Sequence, residues 1–286
     1  WPLLDRGLVP MDEGHLAAAA DWMLDGQRLY ADIHTGIFPG IYLVTSALFA
    51  LFGRDLLVAR LAAACVNVVT MLALWSVARR VVSPRSALLP PLLHAALVAF
   101  AFPVLSMLNY STLALAFGLL GLVCLLRYLE AGRTRDGVLL GLCVAAAALT
   151  KQNFGALVFV ALWIALAWSQ RDSALAGRSH LAALWPVGIA GVGLTAVVAT
   201  FFFVQGTFVD LVDATILSLV GSQMRDFDNP IPPILGPHPQ DVRFVFLYSP
   251  PAVFDALVHG APLAGVPITP GPVSYTHLTL PTNREV

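Results

Sequence analysis

Residues 86–126 contain no Asp, Glu, Lys or Arg, and that run limits what the chain can fold into. As a single helix it would be roughly 60 Å long, about twice the thickness of a bilayer core. It is therefore expected to cross a membrane twice, in spans near 87–107 and 111–129, with Asn109, Tyr110 and Ser111 at the return. Further spans are expected at 56–82, 137–150, 153–170 and 181–204. With 58% hydrophobic and 12% charged residues and a mean hydropathy of +0.79, the composition excludes an ordinary soluble domain. The fold class expected is all-α, a polytopic transmembrane helical bundle.

A net charge of -1 offers no electrostatic basis for nucleic-acid binding, so the membrane itself is the expected partner. Cys65, Cys124 and Cys143 lie inside apolar runs without metal-like or redox-like spacing, and they read as buried small hydrophobes. The chain opens on Trp1 rather than Met, which implies an upstream segment. Residues 273–282, VSYTHLTLPT, read like a translated sequencing adapter, so 273–286 are set apart from the fold and natural sequence is expected beyond Pro272.

Basic residues set the expected orientation. Arg79, Arg80 and Arg85 follow the 56–82 span, Arg127, Arg133 and Arg135 follow the 111–129 span, and Arg171 and Arg178 follow the 153–170 span. Short basic loops stay cytoplasmic, and the number of intervening spans keeps all three clusters on one side. The connections at Asn109 and Lys151 then lie outside, as does everything before residue 56. Residues 37–53 are too short to span comfortably and carry Pro39 and Gly40 at their start, so they read as an interfacial or re-entrant helix. The expected organisation is an external acidic loop (1–36), that helix (37–53), a transmembrane core (54–204) and an external segment (205–272). Residues 230–272 of the last segment hold eleven of the twenty prolines, with short helices expected near 242–247 or 252–258.

The polar residues of 12–40 stand out against this background. Asp12 or Glu13, just outside the bilayer, could take a proton from a hydroxyl as it attacks an electrophilic carbon; Asp12 could equally cap a helix starting at Glu13. Lys151, with Gln152 and Asn153 beside it, could hold a phosphate at headgroup depth, or simply snorkel. Asp32 and His34 could orient a sugar or bind a divalent metal, or belong to a structural loop. Tyr30 could stack on a sugar ring or anchor the interface.

In order and spacing, DEGH at 12–15, Gly26 with Tyr30 and Asp32, the Phe38-Pro39 turn, LFALFGRDLLVARL at 48–61 and TKQN at 150–153 resemble the polytopic GT-C glycosyltransferases. The likeness is to the dolichyl-phosphate-mannose protein mannosyltransferase type, with its bacterial lipid A and oligosaccharide-modifying relatives, and it covers most of residues 10–170. Two prolines often stand in that family where this chain has Phe38-Pro39. The resemblance implies a first extracytoplasmic loop containing membrane-parallel helices, and a multi-pass protein of the plasma (inner) membrane. It implies a polyprenyl-phosphate-linked sugar as donor and a lipid, glycan or protein as acceptor.

Carried onto this chain, the resemblance makes Asp12 the general base, with Glu13 its neighbour or substitute. Read beside it from their own chemistry, Lys151 and Gln152 are the expected donor-phosphate residues, and Tyr30, Asp32 and His34 the expected substrate-binding residues. The reaction expected is hexosyl or pentosyl transfer with inversion, through an oxocarbenium-like transition state. No cofactor is expected, and a divalent metal stays open. A transporter would show broken, polar helices at mid-membrane and a repeated half, neither of which is evident; a non-catalytic assembly protein is the other alternative.

Overall fold

A computed structural model describes residues 13–100, 105–169 and 173–217. Asp12, the segment after residue 217 with its proline-rich stretch and the adapter-like tail lie outside the described residues. Two helices, α1 (His15–Leu24) and α2 (Gly40–Phe52), precede six others: α3 (Leu56–Ala78), α4 (Leu89–Phe100), α5 (Tyr110–Ala131), α6 (Thr134–Thr150), α7 (Gln152–Ser169) and α8 (His180–Val204). A short α9 (Phe208–Val212) follows. Among the described residues the sole β feature is one isolated bridge between Leu29 and Ile33.

Four of these helices, α3, α5, α7 and α8, are long and apolar enough to cross a membrane. They carry Leu, Val, Ile and Trp on their outer surfaces, with Trp168, Leu181 and Val204 each more than three-quarters exposed. Water would penalise such a surface and lipid does not. α4 is described over Leu89–Phe100, directly after a 3-10 turn at Ser86–Leu88, and residues 101–104 of the span expected at 87–107 lie outside the described residues; α6, with 17 residues, takes in the span expected at 137–150. Cys65 is exposed rather than buried, because its position on α3 faces outward; Cys124 is buried and Cys143 partly so.

Helix boundaries follow local chemistry. Asp55 caps α3 by accepting from the Leu57 amide at 2.8 Å. Asn109 caps α5, its side-chain oxygen taking the amides of Ser111 and Thr112 at 2.8 and 2.9 Å. Those bonds satisfy donors that would otherwise be orphaned at a helix start. The expected return therefore ends at Asn109, and Tyr110 and Ser111 already belong to the helix. Gly132 closes α5 in the left-handed conformation, φ +63°, which glycine adopts without a Cβ penalty.

The helices run alternately up and down, giving the bundle two distinct ends. At one end lie Arg80, which bonds Ser76 and the Glu130 carboxylate, Arg79 stacked over Trp75 and Arg178, which donates to the Gly132 carbonyl at 3.1 Å. The other end gathers α1, α2, the starts of α3, α5 and α7 and the finish of α8, around a core that includes Leu29, Ile41, Phe49, Leu113 and Phe202. A second apolar cluster deeper in the bundle, around Leu125, Tyr128, Leu140 and Leu166, joins α5, α6 and α7. There the Tyr128 hydroxyl, fully buried, donates to the Ala183 carbonyl of α8 at 2.9 Å.

α6 is the spine of the bundle, packed on α5, α7 and α8. Its contact with α8 needs Gly141, where an added Cβ would come within 2.1 Å of the Val187 carbonyl oxygen. Without interhelical water release as a driving force, such close backbone approach is the main source of helix association in lipid. Gly141→Ala should force α6 and α8 apart and destabilise the protein by about 1–3 kcal/mol. Gly188→Ala, whose Cβ meets nothing within 4 Å, should leave stability unchanged or slightly raised. Thermal unfolding in detergent distinguishes the two; equal melting temperatures would count against this account of the α6 and α8 contact.

Candidate functional site

The end of the bundle built around α1 and α2 carries nearly all the polar residues singled out in the sequence. Glu13 sits in a wide helical turn leading into α1 and is 3% exposed. Arg60, one turn into α3, holds it through two parallel bonds, Nε to Oε1 and Nη2 to Oε2, each 2.7 Å. A guanidinium on an apolar helix needs a carboxylate, and the forked geometry satisfies both oxygens at once. Both Glu13 oxygens are thereby engaged by Arg60.

Between α1 and α2 the chain makes a compact knuckle. Gly26 turns it at φ +93°, and Tyr30 adopts φ +74°, a conformation that costs a non-glycine residue free energy. The surroundings compensate. The Tyr30 amide donates to the Ile33 carbonyl at 2.9 Å, its hydroxyl donates to the Ile37 carbonyl at 2.8 Å, and its ring meets Phe202 edge-on at 5.5 Å. Tyr30 is 3% exposed, so its ring faces are covered by protein, and burial pushes its phenol well above the usual range.

Asp32 lies at the exposed turn of the knuckle, accepting from the Arg28 amide at 2.8 Å and from Arg28 Nε at 3.2 Å. The amide bond foremost, and then the guanidinium, hold its carboxyl below the ordinary carboxylate range. His34 is exposed two residues on. Among the described residues no three His, Cys, Asp or Glu side chains come together as a metal-binding group. Thr35 and Tyr42 share a 2.7 Å hydrogen bond beneath the knuckle, with His15 edge-on to the Tyr42 ring.

Lys151 is the hinge between α6 and α7. Its extended backbone caps α6, and its carbonyl accepts from the Gly155 amide to start α7. The ammonium donates to Ser111 Oγ at 2.8 Å and lies 5.1 Å from the centre of the Tyr110 ring. Among the described residues no carboxylate lies within ion-pairing distance of it. Gln152, the next residue, donates from its side chain to the Gly36 carbonyl of the knuckle at 3.1 Å. Gly40 reinforces that junction: a Cβ there would meet the Leu149 carbonyl at 2.7 Å and Thr150 Oγ1 at 2.8 Å.

Directly below this junction, α7 and α8 both pack on α6 and leave a cleft between them. It is an apolar cavity of about 710 Å³, with Phe38 and Gln152 contributing to it from the polar end and Gly155, Trp163, Gly188 and Thr195 among the lining residues farther in. The volume is in the range of sites that enclose a drug-sized ligand.

Residues more than a hundred positions apart are thus drawn to one end. Lys151 is bolted to the first turn of α5, Glu13 to the start of α3, and Gln152 to the knuckle. Arg60 and the pair Tyr110 and Ser111 escaped the sequence reading as site residues. Arg60 could have been found: an arginine inside an apolar helix signals a buried carboxylate partner. Tyr110 and Ser111 gave no such signal, since both suit a turn.

An all-helical, multi-pass membrane protein thus carries at one end of its bundle a buried ion pair ahead of α1, an ammonium with no carboxylate partner among the described residues, and an apolar cleft. The chain matches the dolichyl-phosphate-mannose-protein mannosyltransferase family over residues 37–201, more than half of its 286 residues. It belongs to that family and is a membrane glycosyltransferase of the GT-C type. The matched region takes in α2 through most of α8 and begins just after the acidic loop. No curated protein and no solved structure matches the chain.

The Glu13 and Arg60 pair makes a sharp energetic prediction. Removing one partner leaves a buried uncompensated charge, so Glu13→Ala or Arg60→Met alone should cost about 3–5 kcal/mol. The double replacement should cost less than the sum of the two single ones, measured as a double-mutant cycle of unfolding in detergent. Additive effects would mean that the two charges do not depend on each other.

Proposed function

We propose that the protein transfers a sugar from a polyprenyl-phosphate carrier to an acceptor hydroxyl, with inversion at the anomeric carbon, at the membrane face that bears Lys151. The observation that carries this reading is the ammonium of Lys151, held by a hydroxyl and a ring face, beside Gln152, which borders the apolar cleft. A cation with neutral partners in low dielectric is a receptor for an anion. The cleft offers the first isoprene units of the carrier a place against α6, α7 and α8.

In this scheme Asp12 takes the proton of the acceptor hydroxyl as oxygen attacks the anomeric carbon, and the bond from that carbon to the carrier phosphate breaks. The electron pair leaves with the phosphate, where Lys151 and Gln152 meet the growing negative charge. In the same scheme Glu13, held by Arg60, serves as the positioning residue and its sequence neighbour Asp12 as the base. The exposed Asp32 and His34 are the knuckle residues open to the sugar or acceptor side. Arg79, Arg80, Arg85, Arg127, Arg133, Arg135 and Arg178 cluster at the opposite end, which supports a cytoplasmic location for that end and an extracytoplasmic one for the site.

Two variants test this in membranes supplied with a polyprenyl-phosphate-linked sugar. Asp12→Asn should lower turnover by about 100-fold or more while binding of the carrier persists; near-normal transfer would remove Asp12 from the mechanism. Gly188→Phe, which fills the cleft from α8, should raise the donor KM several-fold with little change in kcat. An unaltered donor KM would mean that the carrier chain lies elsewhere.

A further inference from the structure

We propose that Ser111 is itself a ligand of the carrier phosphate, with Tyr110 and Lys151 completing a three-part cradle. The proposal rests on the reading that Lys151 faces a phosphate, and it extends that site onto the first turn of α5. The Ser111 hydroxyl accepts from Lys151 Nζ at 2.8 Å. Its own hydrogen has no acceptor among the described residues.

Two features direct that hydrogen to a substrate. The cation occupies one lone-pair position of the hydroxyl oxygen, so the hydrogen must point away from Lys151. An oxygen bonded to a cation is also polarised, which makes its O–H a stronger donor through the cooperativity of linked hydrogen bonds. The order would be Lys151 Nζ–H to Ser111 Oγ, and Ser111 Oγ–H to a non-bridging phosphate oxygen. Ser111 thus relays the positive charge of the ammonium to the anion, and no proton leaves any group.

Position supports the same role. Asn109 has taken the Ser111 and Thr112 amides, so the backbone of this turn is satisfied and the side chain is not needed as a cap. Ser111 is half-buried, as Lys151 is, at a border between bundle and surroundings. The Tyr110 ring stands beside the ammonium at 5.1 Å, and a cation over an aromatic face is held without being neutralised. A carboxylate in that place would compete with the phosphate for the lysine; a ring and a hydroxyl leave the charge available.

The test compares two replacements that differ only in a hydroxyl, Ser111→Thr and Ser111→Val, in the full-length protein in detergent or nanodiscs. The probe is a synthetic polyprenyl monophosphate, with the matching polyprenol and inorganic phosphate as separate arms. Ser111→Val should bind the polyprenyl monophosphate about tenfold or more weakly, the loss expected when a hydrogen bond to a charged group is removed. Ser111→Thr should restore binding, and polyprenol affinity should be the same in both. Inorganic phosphate should compete with the probe in Ser111→Thr and about tenfold more weakly in Ser111→Val.

Equal phosphate binding by the threonine and valine variants overturns the role of Ser111. An equal loss in both, or a loss that extends to polyprenol, overturns it as well, because packing rather than the hydroxyl would then be responsible. Lys151→Met separates this proposal from the reading beneath it. If that variant loses the phosphate while both Ser111 variants keep it, only the cradle fails. If it too binds normally, the placement of the phosphate at Lys151 fails with it.

Discussion

The arrangement of the site depends on one interaction, the forked ion pair between Glu13 and Arg60. A guanidinium on the apolar face of a helix is too costly to leave unpaired, and a carboxylate beside it is costly for the same reason. Pairing them fixes the segment before α1 onto α3 with both carboxylate oxygens occupied. The exposed ion pairs of Arg54 with Asp21 and Asp25 add a weaker fastening between α1 and the turn before α3.

The other half of the site is built by a different principle. Where Glu13 is matched by an opposite charge, Lys151 is met by a serine hydroxyl and a tyrosine ring. One cation is neutralised and serves as structure, and the other keeps its charge. Arg60 lies one turn into α3, behind the Asp55 cap, and the serine that meets Lys151 lies on the first turn of α5, behind the Asn109 cap. The apolar cleft between α7 and α8 is bordered by Gln152, the residue after the second cation, and the proposed donor would set its headgroup at the one and its hydrocarbon tail in the other. Membership in a mannosyltransferase family gives that juxtaposition its chemical sense.

Much of the bundle was legible in the sequence. The charge-free run at 86–126 required a return, and Asn109 stands at it, where the structure shows its side chain capping α5. The short stretch at 37–53 proved to be α2, with Pro39 and Gly40 at its start. α6 runs over the whole stretch expected at 137–150 and begins three residues earlier, because Arg133 rather than an apolar residue marks its start. Cys65 was misplaced because apolar neighbours in a membrane protein do not distinguish a core-facing position from a lipid-facing one.

For the site, the sequence by itself determined which residue types stood out: an acidic pair in a polar loop, and a lysine at the break between two apolar helices. It also determined their common end of the bundle, because alternating helices and the arginine bias allow few arrangements. Only the tertiary structure decided the partners. It sent Glu13 to Arg60, turned Tyr30 inward at a left-handed backbone angle, and set Ser111 and Tyr110 around Lys151. Those outcomes depend on close approach between residues far apart in the chain, Glu13 with Arg60, Ser111 with Lys151 and Tyr30 with Phe202. Periodicity and charge count describe a helix along its own axis, whereas a hydrogen-bond partner is fixed by how two helices meet.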